Sequence, residues 1–202
     1  MTEADVAEAG PLERADVEIG RKLAAGRDRP VVKAVAKAGK LGDQEPLYGL
    51  AVVMLAAGLL TRRPTLARAG LRMGLAVGAA DLMKSGLKRV VKRTRPHVLM
   101  DEGRYESELG GADEKPEQSF PSGHMAGSMA AAASVRRLYP RSAPYAYGAC
   151  ALLGWSRISK GAHWPSDVAV GALTGLAAEA VTAAVAARVP GLRSGGGAHV
   201  AK

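Results

Sequence analysis

Apolar runs of roughly 14 residues, each closed by proline or by paired basic residues, restrict this chain to short packed helices. Residues 46–61 form one run, ended by Thr61-Arg62-Arg63-Pro64, and residues 66–94 form a longer one stopped by Pro96. Residues 122–138, 142–158 and 165–188 complete the set, with Pro140, Pro144 and Pro165 as punctuation. Apolar residues make up 48% of the chain and aromatics only 4%. The core must therefore be Ala, Leu, Val and Gly on closely approaching helices, a packing common between membrane helices. The expected fold is all-α, a helical bundle of about five to six helices that is integral to a membrane.

Three polar clusters sit at the edges of these runs: Lys88 to Pro96 (KRVVKRTRP), Pro121 to His124 (PSGH) and Ser156 to Asp167 (SRISKGAHWPSD). Singly, each has a plain reading. The basic run is a solvated helix end, Ser122 is a helix N-cap, and His163 with Asp167 is a surface pair at helical spacing. Together they supply cations, two histidines, an aspartate and a Ser-Gly turn that a bundle would bring to one end.

In order and spacing these clusters match K-x6-R-P, P-S-G-H and S-R-x5-H-x3-D, and every fixed position is filled: Lys88, Arg95, Pro96; Pro121, Ser122, Gly123, His124; Ser156, Arg157, His163, Asp167. Over roughly residues 45–188 the chain thus resembles the type 2 phosphatidic acid phosphatase superfamily, in its membrane lipid phosphatase branch. The residues suit that chemistry. Phosphoryl transfer is stabilised by cations and donors already in place around the phosphate oxygens. Lys88, Arg95 and Arg157 are the cations, and Ser122 and Gly123 lie where free N–H groups at a helix start bind anions. The resemblance implies that His163 is the nucleophile forming a phosphohistidine, oriented by Asp167, and that His124 is the general acid and base. The residues alone offer two histidines without ranking them. No cofactor and no metal are expected, and His97 and His199 read as loop and tail residues.

Residues 1–11 read as a disordered N-terminus, 12–40 as amphipathic surface helices, 41–190 as the helical phosphatase domain and 191–202 as a flexible tail. Cys150, the single cysteine, excludes an internal disulfide. A net charge of +9 without aromatic interleaving fits anionic lipid headgroups better than nucleic acid. Arginines at alternate helix ends (Arg62, Arg63, Arg68, Arg72; Arg136, Arg137, Arg141; Arg188, Arg193) suggest five spans, although the mean hydropathy of -0.01 is low for a multi-pass protein. No cleavable signal is visible. The resulting expectation is a multi-pass enzyme of the cell membrane, active on the extracytoplasmic side, that removes phosphate from phosphatidic acid, phosphatidylglycerol phosphate or a polyprenyl diphosphate. Its partners are then the lipid substrate and membrane lipids; oligomeric state is left open. A soluble acid phosphatase on small esters, a vanadate-binding peroxidase, normally a longer chain, and a noncatalytic lipid-phosphate binder or transporter are the alternatives.

Overall fold

The computed structural model describes Val6, residues 9–111 and residues 114–188. Most of the N-terminus read as disordered and the tail with His199 lie outside the described residues. Eight α-helices are present among those described. They are α1 (Pro11–Ala24), α2 (Pro30–Ala38), α3 (Gln44–Leu60), α4 (Pro64–Lys88), α5 (Pro96–Glu102), α6 (Gly123–Leu138), α7 (Ala143–Ser159) and α8 (Pro165–Arg188). Many begin with proline, whose fixed φ suits the first helical position and whose missing N–H costs nothing there.

Helix α4 is the axis of the bundle, packed against α3, α6 and α8. Its contact with α6 and α8 is almost all alanine: Ala76, Ala80, Ala126, Ala130 and Ala178 are fully buried together. Small side chains bring the backbones close, as the composition requires. A Cβ on Gly70 of α4 would sit 2.5 Å from the Ala51 carbonyl oxygen on α3. Larger side chains fill the flanks, with Leu47, Met73 and Val77 on the α3 side and Met125, Cys150 and Leu153 between α6 and α7.

Four expectations change. The helix expected over 66–94 ends at Lys88, and the next residues form strand β1 (Val91–Arg93), antiparallel to β2 (Ser107–Leu109) with Arg93 opposite Ser107. β-Branched Val90 and Val91 weaken the helix at that point. His97, read as a loop residue, lies in α5, and residues 97–120 also hold β2 and a 3₁₀ turn at Lys115–Glu117. The helix count exceeds the five to six expected, because α1, α2 and α5 add to a bundle of α3, α4, α6, α7 and α8. Arg72 is no helix-end charge, being buried with Glu179, which Arg137 grips at 2.6 and 2.7 Å. Among the described residues, α8 is the one helix long and apolar enough to cross a membrane; α3 is apolar but shorter.

Candidate active site

The third cluster is shaped by a tight helix end. At the close of α7, Gly161 adopts φ 72°, its N–H donates to Ile158 O at 2.8 Å, and the N–H of Ala162 donates to Arg157 O at 3.0 Å. This paired bonding around a left-handed glycine reverses the chain at once. It sets Arg157, on the last turn of α7, and His163, just past the reversal, side by side at one end of the bundle. Asp167 then falls in the first turn of α8, where its Oδ2 accepts the Trp164 N–H at 2.8 Å and so closes the helix start.

His163 is 3% exposed, and its Nδ1 lies 2.8 Å from the Ser119 carbonyl oxygen. A carbonyl only accepts, so Nδ1 carries the proton and Nε2 keeps its lone pair. Burial first, then the charges of Arg95 and Arg157, hold the His163 pKa well below the ordinary histidine value. The sequence reading has Asp167 orient His163 directly; in the structure Asp167 acts one residue removed. Its Oδ2 accepts the Ser119 hydroxyl at 2.5 Å, and the Ser119 carbonyl holds the imidazole. The helical spacing argument fails because His163 precedes α8, whereas Asp167 is inside it.

Gly123 opens α6 with Ser122 as its N-cap, and the Ser122 N–H donates to the Asp167 carbonyl at 2.9 Å. The close approach of α8 is permitted by Gly171, where a Cβ would lie 2.5 Å from Ser122 O. Ser122 Oγ, Arg95 Nε and Arg157 Nε are all buried without a hydrogen-bond partner among the described residues. Arg95 and Arg157 each act electrostatically on both His124 and His163. Burial lowers the Arg95 pKa, against the pull of Asp167. Lys88, at the end of α4, donates to Gln118 O at 2.7 Å and senses both Arg95 and Asp167. All eight sequence-predicted residues thus meet at one end of the bundle.

Several residues in contact with this site escaped the sequence reading. Asp43, the N-cap of α3, pairs with His124 through Nε2. A cavity of about 240 Å³ opens beside that pair, with Gln44, Glu45, Asp81 and Lys84 on its walls. Lys84 also runs along the Ser-Gly turn, 3.1 Å from where a Gly123 Cβ would be. Arg93 looked like one of a basic run. It is 6% exposed and donates to Asp167 Oδ1 at 2.9 Å, to Ser166 Oγ at 2.7 Å and to Asp16 Oδ2 at 2.9 Å. Burial opposes its charge, but Asp167, Tyr105 and Asp16 outweigh this and raise its pKa above the ordinary arginine value. His97 is no solvated loop residue, since its Nδ1 and backbone N–H both lie 3.0 Å from Gly161 O. These signals are weak in sequence because each partner lies far along the chain.

Known proteins resemble this chain in sequence and in fold. The chain is 38% identical over 110 residues to a lipid A 1-phosphatase of Rhizobium johnstonii and, at the same identity, to one of Rhizobium etli. It spans about half the length of these curated relatives: the match covers 54% of this chain but 44% and 47% of theirs. Its fold is similar to the crystal structure of a transmembrane PAP2 type phosphatidylglycerolphosphate phosphatase from Bacillus subtilis, with TM-score 0.64 and 24% identity over 92% of this chain and 90% of that one. Aquifex aeolicus LpxE follows with TM-score 0.54 and 19% identity over 82% of this chain and 92% of that one. The family model of the PAP2 superfamily matches residues 69–189, which span all three polar clusters, and the chain belongs to that superfamily.

Proposed function

We propose that the chain is a phosphatase that hydrolyses phosphate or diphosphate monoesters of lipids through a phosphohistidine. The observation that carries this reading is the set of buried, unpartnered donors, Ser122 Oγ, Arg95 Nε and Arg157 Nε, gathered around His124 and His163. Buried polar groups are left unpaired at a cost, and a phosphoryl group would satisfy all three. His163 Nε2 attacks phosphorus, the P–O bond to the lipid breaks, and His124 gives its proton to the leaving oxygen. Water then attacks the phosphohistidine, His124 takes the water's proton, and the N–P bond breaks to release phosphate. Burial and the Arg157 charge disfavour the protonated His124 that the first step needs, and the paired Asp43 carboxylate offsets part of this. Lys88, Arg95 and Arg157 stabilise the charge on the equatorial oxygens.

A lipid substrate is supported by a second cavity, of about 390 Å³ and walled by apolar residues of α2, α3, α6, α7 and the 3₁₀ turn at Gly39–Gly42, among them Leu41, Leu50, Val135 and Leu153. Gly42 and Leu47 line both this cavity and the polar one beside His124, so tail and headgroup fit into adjoining spaces. The outer faces of the bundle suit a bilayer, with Val52, Leu60, Leu82, Leu152, Leu173 and Val181 all exposed. Multi-pass insertion in the cell membrane, with the site on the extracytoplasmic side, completes the proposal. The names of similar proteins add lipid A 1-phosphate to phosphatidic acid, phosphatidylglycerol phosphate and polyprenyl diphosphate as candidates.

The test is phosphate release by detergent-purified protein, in EDTA, from each of these lipids and from a small soluble ester, alongside His163→Ala. Release from a lipid that falls by more than about 10³ in the variant supports the reading. Normal turnover by His163→Ala, or release that requires added Mg²⁺, would overturn the mechanism. Faster release from the soluble ester than from every lipid would reassign the substrate.

A further inference from the structure

Away from the histidines, helix α2 and the end of α7 enclose an open depression of about 300 Å³ lined by Arg27, Asp28, Lys33, Lys37, Lys40 and Lys160. Five of these are cations and one is a carboxylate. The placement follows from local structure. Val32 and Ala36 turn the apolar stripe of α2 into the protein, which leaves Lys33 and Lys37, one helical turn apart, on the outer face. Lys40 continues that line on the 3₁₀ turn at Gly39–Gly42, and Lys160, the C-cap of α7, comes across from the other side.

The charges are not balanced from within. Asp28 is spent on Lys33 at 3.0 Å and on Arg27 at 3.9 Å, and Arg27 also pairs with Asp101. Among the described residues no carboxylate pairs with Lys37, Lys40 or Lys160. Like charges at one-turn spacing destabilise a helix slightly, so a shared anion would relieve them. Lysine binds phosphate as a mobile point charge without demanding one geometry, which suits a shallow headgroup site. The same segment exposes Ile19, Leu23, Val31 and Leu41. Apolar side chains beside a cationic hollow match the level at which headgroups meet acyl chains.

We propose that this depression is a second anion site that holds the phosphate of an anionic lipid headgroup, distinct from the phosphate cradle at the histidines. Lys160 joins the two, since it stands in the reversal between Arg157 and His163. A lipid held there would keep the end of α7 at the membrane surface while a substrate lipid occupies the cradle.

The experiment uses the full chain in phosphatidylcholine nanodiscs with or without phosphatidylglycerol, a phosphodiester that this chemistry does not hydrolyse. Acetylation rates of individual lysines are read by mass spectrometry. At about nine-tenths occupancy, phosphatidylglycerol slows Lys37, Lys40 and Lys160 by roughly tenfold, while exposed Lys115 is unchanged. The double variant Lys37→Glu/Lys40→Glu abolishes protection of Lys160; Lys37→Gln/Lys40→Gln serves the same purpose if charge reversal impairs folding. Protection by inorganic phosphate without phosphatidylglycerol would keep the anion site and assign it to a soluble phosphate. Absence of protection by either, equal slowing at Lys115, or Lys160 protection that survives both variants would overturn the site. Occupancy is read by protection rather than turnover, so it is decided whether or not the histidines hydrolyse anything.

Discussion

Ser119 links the proposed nucleophile to a carboxylate that never touches it, with its carbonyl on His163 Nδ1 and its hydroxyl on Asp167 Oδ2. Ser119→Ala keeps the carbonyl and loses the hydroxyl, so the imidazole stays placed while Asp167 loosens. Steady-state kinetics are expected to show kcat reduced by about 10–100-fold with KM little changed. Asp43→Asn removes the negative charge beside His124. Its activity profile should lose its alkaline limb at lower pH than the parent, because a neutral amide holds the imidazolium less well; an unmoved limb would separate Asp43 from proton transfer. The three polar clusters were legible because their spacing fixes residue type against backbone position. Ser119, Asp43 and Arg93 were not, since a serine in a polar stretch, an aspartate before a helix and an arginine among others carry no local pattern. Their importance arises from contacts with residues 163 and 167 for Ser119, 124 for Asp43 and 167 for Arg93.

The bundle helices were readable from apolar runs and proline breaks, and their starts at Pro64 and Pro165 follow the preference of proline for a first turn. What could not be read was the passage from α4 to α6. There β1, β2 and α5 are too short for periodicity to register, and their positions depend on distant bonds such as Thr94 N–H to Glu106 O at 2.9 Å and Ser119 N–H to Arg93 O at 2.9 Å. The reversal after α7 offers a test at this scale. Gly161→Ala forces an L side chain into φ 72° and is expected to cost about 1 kcal/mol in denaturant unfolding. The loss of activity should exceed what that destabilisation explains, because Arg157 and His163 flank the turn. Gly171→Ala presses a methyl against Ser122 O, with an expected cost of about 1–3 kcal/mol and weaker substrate binding.

Across the whole molecule, charge and burial combine into a dependence on pH. His163 is folded with its pKa below the ordinary value, so the unfolded chain binds a proton that the folded one refuses. This contribution to stability is complete above about pH 6.5 and is lost as pH falls below it. Thermal unfolding from pH 7.5 to 5 should show a falling midpoint, and His163→Gln should flatten that slope. The sequence reading set residues 12–40 apart as surface helices, a division that amphipathic patterning invites. In the structure Val17 of α1 packs with Leu99, Tyr105 and Trp164, and a Cβ on Gly20 would collide with the Trp164 ring at 2.5 Å. No pattern in one segment could reveal that its buried face packs on residues some 80 to 150 positions away.

Asp16 accepts the Ser166 N–H at 2.8 Å and grips Arg93, which in turn holds Asp167. Residues of α1 therefore finish the beginning of α8. During synthesis the early helix emerges long before α8, so Asp16 and Arg93 wait as an unfinished socket while the bundle forms. Only when the segment around Ser166 arrives can the catalytic end close, and contacts of such long sequence separation form late in folding. A chain halted before that point would hold the cations and one histidine without an ordered nucleophile, and would stay silent toward phosphate esters until α8 docked.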